Sequence, residues 1–277
     1  MIDLHTHTTA SDGRCTPQEL VARAKSAGVD TLAVTDHDTV AGCDDAAAAC
    51  AAAGIAFVAG IEITAFHEGE DVHVLGYFFD IGSPALHAFL AQQRERRLTR
   101  IRAMLDRLAA LGMPLDAERI LLPGLADSSK AIGRPALARA LVAAGHAMST
   151  NDAFARWLSR GKPAFVPRDA APPAEVITRI HDAGGIASLA HPGVLEHDDW
   201  IRSLRDGGLD AIEAYHSDHD DAATARYLRL ADQMGLAVSG GSDFHADEAH
   251  GPAAPGAVSL PRACFAALQE RWRGRRG

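Results

Sequence analysis

Two histidines and a carboxylate close to the start of the chain could bind a metal ion. His5 and His7 follow a short apolar stretch that predicts a strand, and Asp12 comes shortly after them. Because side chains alternate along a strand, the two histidines point the same way. Neutral imidazole nitrogens bind first-row divalent cations, so this spacing predicts a pair of metal ligands. A surface histidine pair without a function is the alternative interpretation.

Similar residues recur at the boundaries of other predicted strands. Histidine, aspartate or glutamate ends or follows five of these strands, and one more histidine stands where a strand begins. These residues are His37, Glu62, His73, His191, His216, Asp243 and His245. The histidines that fall on helices or loops elsewhere are interpreted as structural or surface residues, and they include His87, His146, His181 and His197. Recurrence at strand boundaries predicts one shared site.

Strands and helices alternate over most of the chain. Thr16 to Glu19 form a capping box with proline at the first helical position, and the helix they begin follows the first strand. Further strands are predicted over 31–35, 55–63, 72–79, 186–190, 210–214 and 237–239. This rhythm predicts the α/β class with a mostly parallel sheet or barrel. In such a barrel the strand ends meet at one face, where active sites are built.

The rhythm stops between residues 84 and 167, where only helices are predicted. The first of them runs to Leu111 and has an apolar stripe at helical spacing. We interpret most of the arginines on its other face as a solvated surface, with substrate contact as the alternative. A helical insertion into such a series predicts a cap over the open end of a barrel formed by residues 1–83 and 168–277. A last helix is expected over 262–272, followed by a frayed basic tail.

The bulk composition is that of an ordinary globular protein. The chain has 277 residues, 47% of them hydrophobic, and a formal net charge of -9 at pH 7. Nothing in it is apolar for the length of a membrane span, so we expect a cytoplasmic protein without a membrane partner. The net charge argues against binding of DNA or other long nucleic acid by the whole surface. The four cysteines lack CxxC spacing and are expected to be reduced and mostly buried.

Several motifs in this order resemble the PHP (polymerase and histidinol phosphatase) family. They are Asp3-Leu4-His5-Thr6-His7, Thr35-Asp36-His37-Asp38, Glu62, Ala190-His191-Pro192 and Gly241-Ser242-Asp243-Phe244-His245. The resemblance covers the chain apart from the helical insertion. Together with the insertion, the segments 8–13 and 161–164 look most like those of the 3',5'-nucleotide bisphosphate phosphatases, which are related to bacterial enzymes that trim short RNAs from the 5' end. The family implies a distorted seven-stranded (β/α) barrel and a trinuclear metal site.

Carried over by position, the resemblance implies three groups of ligands. One ion would be held by His5, His7, Glu62 and Asp243; a second, bridged by Glu62, by His73 and His191; and a third by Asp12, His37 and His245. His67 is an alternative to His73, because only the register of one strand separates them.

Asp12 is a departure from the family, since many members have a histidine there. An oxygen ligand at this position favours manganese or iron over zinc. We therefore expect three divalent ions, with manganese first and iron or zinc as alternatives.

Such a centre suits phosphate chemistry. Nine ligands with three carboxylates leave three divalent ions with a surplus of about three positive charges. His216 is the candidate proton donor to the leaving group, and a histidine that only supports the ligands is the alternative. Asp36 and Asp38 are expected to orient neighbouring histidines. Arg134, Lys162 and Arg168 are candidates to bind a second anion of the substrate, against the alternative of solvated surface charges.

These features predict a metal-dependent phosphatase that removes the 3'-phosphate of a 3',5'-bisphosphonucleotide such as pAp. The first alternative is a 5'-to-3' exoribonuclease acting on short 5'-phosphorylated RNA at the same centre. Histidinol phosphatase is a weaker alternative, because no carboxylate pocket for its cationic substrate is evident. The third alternative is an inactive metal-binding regulatory domain. Nothing in the sequence indicates the oligomeric state or the base that is preferred.

Overall fold

The computed structural model describes residues 1–246 and 252–276, and a seven-stranded sheet forms its centre. The strands lie side by side in chain order. They are β1 (Ile2–Asp3), β2 (Thr31–Val34), β3 (Ala56–His67), β4 (Glu70–Tyr77), β5 (Ile186–Leu189), β6 (Ala211–Tyr215) and β7 (Ala237–Gly240). The predicted α/β class is confirmed.

The sheet curls into a nearly closed, distorted barrel. Strands β1, β2 and β3 are parallel, as are β5, β6 and β7. The segment after β1 meets the segment after β7, where the Leu4 amide donates to the Gly240 carbonyl at 3.2 Å and the Asp243 amide to the His5 carbonyl at 2.8 Å. These bonds join the first and last strands and confirm the predicted seven-stranded barrel.

One strand runs against the predicted parallel order. Strand β4 is antiparallel to both β3 and β5, and β3 and β4 form a long hairpin. The start of β4 therefore lies at the edge where the parallel strands end. This reversal explains why His73, near the beginning of its strand, shares an edge with residues that follow theirs.

The described residues contain eleven α-helices and one π-helical turn. They are α1 (Pro17–Ser26), α2 (Cys43–Ala53), α3 (Pro84–Ala110), α4 (Ala117–Ala126), α5 (Arg134–Ala143), α6 (Thr150–Ala153), the π-helical turn Phe154–Leu158, α7 (Pro173–Asp182), α8 (Pro192–Leu195), α9 (Asp198–Asp206), α10 (Asp221–Met234) and α11 (Arg262–Arg276). The predicted capping box at Thr16 and Glu19 is present at the start of α1. Within the described ranges, no helix combines the length and apolarity that crossing a membrane requires.

The helices between β4 and α7 have an apolar cluster of their own. Ile101, Met104 and Leu105 of α3 pack in it with Leu137 and residues of the π-helical turn. The barrel helices pack instead against the strands. Leu86, Phe89 and Leu90 at the start of α3 pack in the barrel cluster, so the two clusters separate within α3. The division into a barrel of residues 1–83 and 168–277 and a cap of residues 84–167 stays our interpretation.

Two expectations about charged helices hold only in part, since Arg96, Arg102 and Arg107 of α3 are exposed as expected. Arg97 and Arg100 of α3 are 7% and 6% exposed and therefore do not belong to a solvated face. The basic tail is not frayed up to Arg275, because α11 continues through it, the Trp272 indole donates to the Gly184 carbonyl at 2.9 Å, and Arg275 binds Asp210 at 3.0 Å. Cys15, Cys43 and Cys50 are buried, and all four cysteines are free, as expected.

Candidate metal centre

Glu62 lies at the middle of a cluster of histidines, and its two oxygens face different groups. Its Oε1 is 2.7 Å from His73 Nδ1 and 3.1 Å from His191 Nε2. Its Oε2 is 3.5 Å from His5 Nε2 and 3.4 Å from His7 Nε2. A carboxylate in this arrangement is placed to bridge two cations. Burial opposes its ionisation, but the surrounding histidines, His37 foremost, hold the pKa of Glu62 well below its usual value.

Asp243 approaches the same two histidines from the other side of the barrel. Its Oδ1 is 3.2 Å from His5 Nε2 and 3.1 Å from His7 Nε2. Against the opposing effect of burial, His5 and His245 hold the pKa of Asp243 well below its usual range. The four residues His5, His7, Glu62 and Asp243 therefore converge as the family resemblance implies.

Asp12 forms the third group. Its carboxylate lies 3.3 Å from His245 Nε2, 3.6 Å from His37 Nε2 and 3.8 Å from His7 Nδ1. These four residues offer ligand atoms within 4.8 Å of one another. His37 also presents its Nδ1 to Glu62 at 3.0 Å, and it forms a further group with Glu62 and His73. The structure thus brings all nine predicted ligands together; their partition among three ions stays a prediction.

Buried ring nitrogens show that the residues present fit a metal. Six nitrogens from five histidines of the cluster have no hydrogen-bond partner among the described residues, although carboxylate oxygens lie close to them. They are His5 Nε2, both nitrogens of His7, His37 Nδ1, His73 Nδ1 and His216 Nε2. Unpaired buried polar atoms are costly, and shared divalent cations would satisfy most of them together with ionised carboxylates. His67, the alternative to His73, instead meets the Trp200 ring edge to face, with 4.7 Å between the ring centroids.

The backbone around the cluster is unusual. Asp38, His191 and Asp243, each just after the end of a strand, have φ values of 51°, 27° and 56°, a region that non-glycine residues rarely adopt. Such conformations concentrate at functional sites. Gly241 allows the closing segments to meet, because a Cβ there would lie 2.2 Å from the His5 amide nitrogen.

Asp36 and Asp38 were expected to orient neighbouring histidines, and among the described residues their hydrogen bonds go to loop atoms and to Arg97 rather than to histidine rings. Asp36 accepts hydrogen bonds from the Thr8 amide at 2.7 Å and the Ser11 hydroxyl at 2.6 Å. Asp38 accepts from the Thr64 amide at 2.9 Å and from Arg97. Both carboxylates therefore fix the loops that present Asp12 and His37.

His216 lies at the edge of the cluster with a defined proton position. Its Nδ1 accepts a hydrogen bond from the Asp218 amide at 3.1 Å, so a neutral ring has its proton on Nε2. That nitrogen is 3.5 Å from Asp243 Oδ2 and groups with His5 and Asp243. A protonated Nε2 cannot bind a metal but can donate to a substrate oxygen. Its role in catalysis and substrate binding stays a prediction.

A group of arginines lies beside the cluster of predicted ligands, between the barrel and the helical insertion. Asp71 contacts three of them: Arg134 at 3.4 Å, Arg168 at 3.3 Å and Arg100 at 3.6 Å. Arg168 also approaches Asp38 at 3.9 Å. We call Arg97, Arg100, Arg134 and Arg168 the arginine group. With Asp38 and Asp71 as its only carboxylate contacts among the described residues, it has a formal surplus of two positive charges.

Several nitrogens of the arginine group lack a hydrogen bond to the residues that the structure describes, although the Asp71 carboxylate lies near them. The Nη1 and Nη2 atoms of Arg100 and the Nε of Arg168 have no hydrogen-bond partner among residues 1–246 and 252–276. Burial, together with Arg97, lowers the pKa of Arg168 to about 9, and burial lowers that of Arg100 to about 10. A buried anion would relieve both effects. Lys162, by contrast, is exposed and has no side-chain contact with the group.

The sequence interpretation missed Asp71, Arg97, Arg100 and Glu213. Glu213 is the charged residue inside the apolar strand β6, which is itself an indication of a buried polar role. Arg97 and Arg100 are three residues apart on α3, on the same side as the buried Gln93. Asp71 offers no comparable indication in the sequence, because it reaches the site only through the antiparallel direction of β4.

The chain is similar to known proteins over most of its length. The model of the PHP domain matches residues 3–117. The 5'-3' exoribonuclease Rnm of Salmonella typhimurium is 40% identical, and the match covers 88% of this chain and 84% of that protein. The 3',5'-nucleoside bisphosphate phosphatase of Chromobacterium violaceum is 35% identical, with 95% and 93% covered. A solved structure from Bifidobacterium adolescentis, proposed to be a metal-dependent phosphoesterase, has a TM-score of 0.87 at 32% identity and covers 97% of this chain and 95% of that one.

Proposed function

Because the chain belongs to the PHP-domain family of metal-dependent phosphoesterases, we propose that it hydrolyses the 3'-phosphate of a 3',5'-bisphosphonucleotide such as pAp. The products are the 5'-monophosphate and inorganic phosphate. The observation that supports this substrate best is the arginine group beside the cluster of predicted ligands. A substrate with two phosphates can place one at the metal ions and the other at these arginines.

The arginine group suits a phosphate dianion. Its formal surplus of two charges matches the charge of a terminal phosphate. The buried Arg100 offers two guanidinium nitrogens that have no hydrogen-bond partner in the described part of the chain. Arg134 adds its position in the first turn of α5, where backbone amides favour an anion. Guanidinium groups bind phosphate oxygens in pairs, which fixes the orientation of the nucleotide. Lys162 is the weakest of the three predicted contacts, since it lies exposed.

The predicted ligands would hold three divalent ions, for which manganese is our proposal. When bound, such ions activate a water molecule and neutralise the charge that develops on the phosphoryl oxygens. The chain's own residues do the rest. The arginine group binds the 5'-phosphate and so orients the 3'-phosphate toward Glu62 and Asp243. His216 donates the proton on its Nε2 to the departing 3'-oxygen.

A 5'-to-3' exoribonuclease on short RNA is the second candidate, because a relative 40% identical has that name. Removal of the first nucleotide of a 5'-phosphorylated RNA breaks a bond to the same 3'-oxygen. The arginine group would hold the 5'-phosphate in both reactions. The two candidates therefore differ only in whether a further nucleotide is attached to the 3'-phosphate.

The test compares the manganese-loaded protein on pAp, adenosine 3'-monophosphate, a 5'-phosphorylated oligoribonucleotide and histidinol phosphate. We expect kcat/KM for pAp to exceed that for adenosine 3'-monophosphate by about 10- to 100-fold, since charged hydrogen bonds contribute about 1.5–3 kcal/mol. Arg100→Met should remove most of this preference. Arg102→Met, which changes an exposed arginine of the same helix, is the matched control and should retain it.

Three results would change the assignment. A kcat/KM for the oligoribonucleotide above that for pAp would favour the exoribonuclease. Equal turnover of all four compounds would contradict a role for the 5'-phosphate and leave the phosphoesterase class intact. Absence of hydrolysis of every compound, with metal bound and with both phosphate and released nucleotide measured, would support the inactive regulatory domain.

A further inference from the structure

A buried carboxylate outside the predicted ligand set joins two of the ligands. Glu213 is in strand β6 and is completely buried. Its Oε1 lies 2.9 Å from His5 Nδ1, and its Oε2 accepts a hydrogen bond from the His191 amide at 2.7 Å. These two residues come from strands on opposite sides of β6 in the barrel order, and the resemblance assigns them to different ions.

The contact with His5 determines which ring nitrogen is free. A carboxylate oxygen can only accept, so His5 Nδ1 must donate a proton to it. The neutral ring then has a lone pair on Nε2, the atom that faces Glu62 and Asp243. Metal-binding histidines commonly depend on such a partner for their tautomer and orientation.

The contact with His191 holds a strained backbone. His191 has a φ of 27° at the turn between β5 and α8. The bond from its amide to Glu213 keeps that turn in the conformation that directs Nε2 toward Glu62 Oε1 at 3.1 Å. Both oxygens of Glu213 face a donor, and Glu213 is absent from the candidate ligand groups of the described residues, which favours a supporting role for this carboxylate.

We propose that Glu213 is a positioning residue that preforms the sites of two of the three ions, by fixing the tautomer of His5 and the backbone of His191. This inference rests on the metal centre of the proposed function. The described side-chain hydrogen bonds of Glu213 go to His5 and His191 and not to Asp12, His37 or His245, so the site that these three would form should be independent of Glu213.

The experiment uses Glu213→Gln, which preserves the shape but not the chemistry. An amide has one oxygen and one NH2 group, so it can accept from His5 or from His191 but not from both. The matched control is Asp210→Asn, in the residue before the same strand, where the carboxylate binds His181 and Arg275, neither of them a predicted ligand. Manganese is titrated into each metal-free protein, and stoichiometry and affinity are followed by electron paramagnetic resonance and elemental analysis.

In Glu213→Gln we expect affinity for two ions to fall about 10- to 100-fold, with the third within about twofold of the wild type. At a manganese concentration that just saturates the wild type with three ions per chain, Glu213→Gln should bind about one. Three ions bound with wild-type affinity would overturn the proposal. An equal loss for all three ions, or the same pattern in Asp210→Asn, would also overturn it.

A second measurement covers the case in which Glu213→Gln does not fold. In the zinc-loaded wild-type protein with ¹⁵N-labelled histidine, His5 should show a proton on Nδ1 that exchanges slowly with solvent. Assignment to the other nitrogen would overturn the proposal without any variant. Both readouts are independent of substrate, so a failure to hydrolyse pAp would contradict the proposed function and leave this inference to be decided by metal binding.

Discussion

The proton on His216 has only one place in the neutral ring. The Asp218 amide donates to Nδ1, and the opposite nitrogen faces the cluster without a hydrogen-bond partner among the described residues. This geometry favours a donor to the leaving oxygen over a metal ligand. A nucleotide 3'-oxygen is a strongly basic leaving group, and its departure needs such a proton.

Replacing His216 should therefore act through the leaving group. We expect His216→Gln to lower kcat for pAp by about 10²- to 10⁴-fold. The loss for p-nitrophenyl phosphate should be much smaller, because its leaving group departs without a proton. The control His197→Gln changes a histidine that stacks on Trp200 at 3.9 Å, outside the cluster. An equal loss on both substrates would mean that His216 supports the ligands instead.

His219 is a histidine that the fold requires to be neutral. Its Nε2 accepts from the Gly193 amide at 3.1 Å, and its Nδ1 donates to the Ala214 carbonyl at 2.9 Å. Burial lowers its pKa. The His219 ring packs closely against the backbone of Gly193, because a Cβ there would lie 2.7 Å from the ring. Protonation of Nε2 would set two donors against each other.

This arrangement predicts a pH effect with a definite sign. Below its ordinary pKa of about 6.5, His219 gains a proton in the unfolded chain but not in the folded one, so the free energy of unfolding falls as the pH drops. The wild type should lose up to about 1 kcal/mol between pH 7.5 and 5.5 relative to His219→Gln, discounted for partial exposure. Urea unfolding of both metal-free proteins at both pH values measures the difference. A constant difference would show that His219 titrates normally.

At the scale of the elements, the sequence predicted the order of the strands and helices better than the direction in which each strand runs. The helical spacing of apolar residues and the signals at the helix starts predicted the bounds of α1 and α7 within a few residues, because both signals are local in the sequence. The reversal of β4 was not predictable, because a single strand has the same pattern in either direction. It moved Asp71 and His73 to the site.

The helices show the same limit. The stripe of α3 predicted its apolar face, but burial of Arg97 and Arg100 depends on Asp38 and Asp71, which lie far away in the sequence. The length of α11 depends likewise on Trp272 packing on Phe78 at 5.1 Å. The predicted ligands could be found from the sequence because they are metal-binding residue types that stand at the ends of predicted strands. The residues that support those ligands are fixed only by the tertiary structure.

On the scale of the whole molecule, the predicted ligands connect the barrel from its first strand to its last. They lie on or next to six of the seven strands, and each ion would tie several strand ends together. The insertion touches the same loops, where the Ala131 amide donates to the Ala10 carbonyl at 3.0 Å and Arg97 binds Asp38. Its apolar core around Leu137 and Leu141 has no contact with the ligands.

Removal of metal should therefore loosen one part of the molecule and spare another. We expect chelation to lower the melting temperature, because an ion present at 100 times its Kd stabilises the folded chain by about 2.7 kcal/mol. Hydrogen exchange should accelerate in the loops bearing Asp12, His37 and Asp243 and in the contact at Ala131, while the amides of α5 keep their protection. A uniform acceleration that includes α5 would show that the insertion and the barrel unfold together, against the two separate cores. Unchanged exchange in the loops would mean that the ligands are held in place without metal.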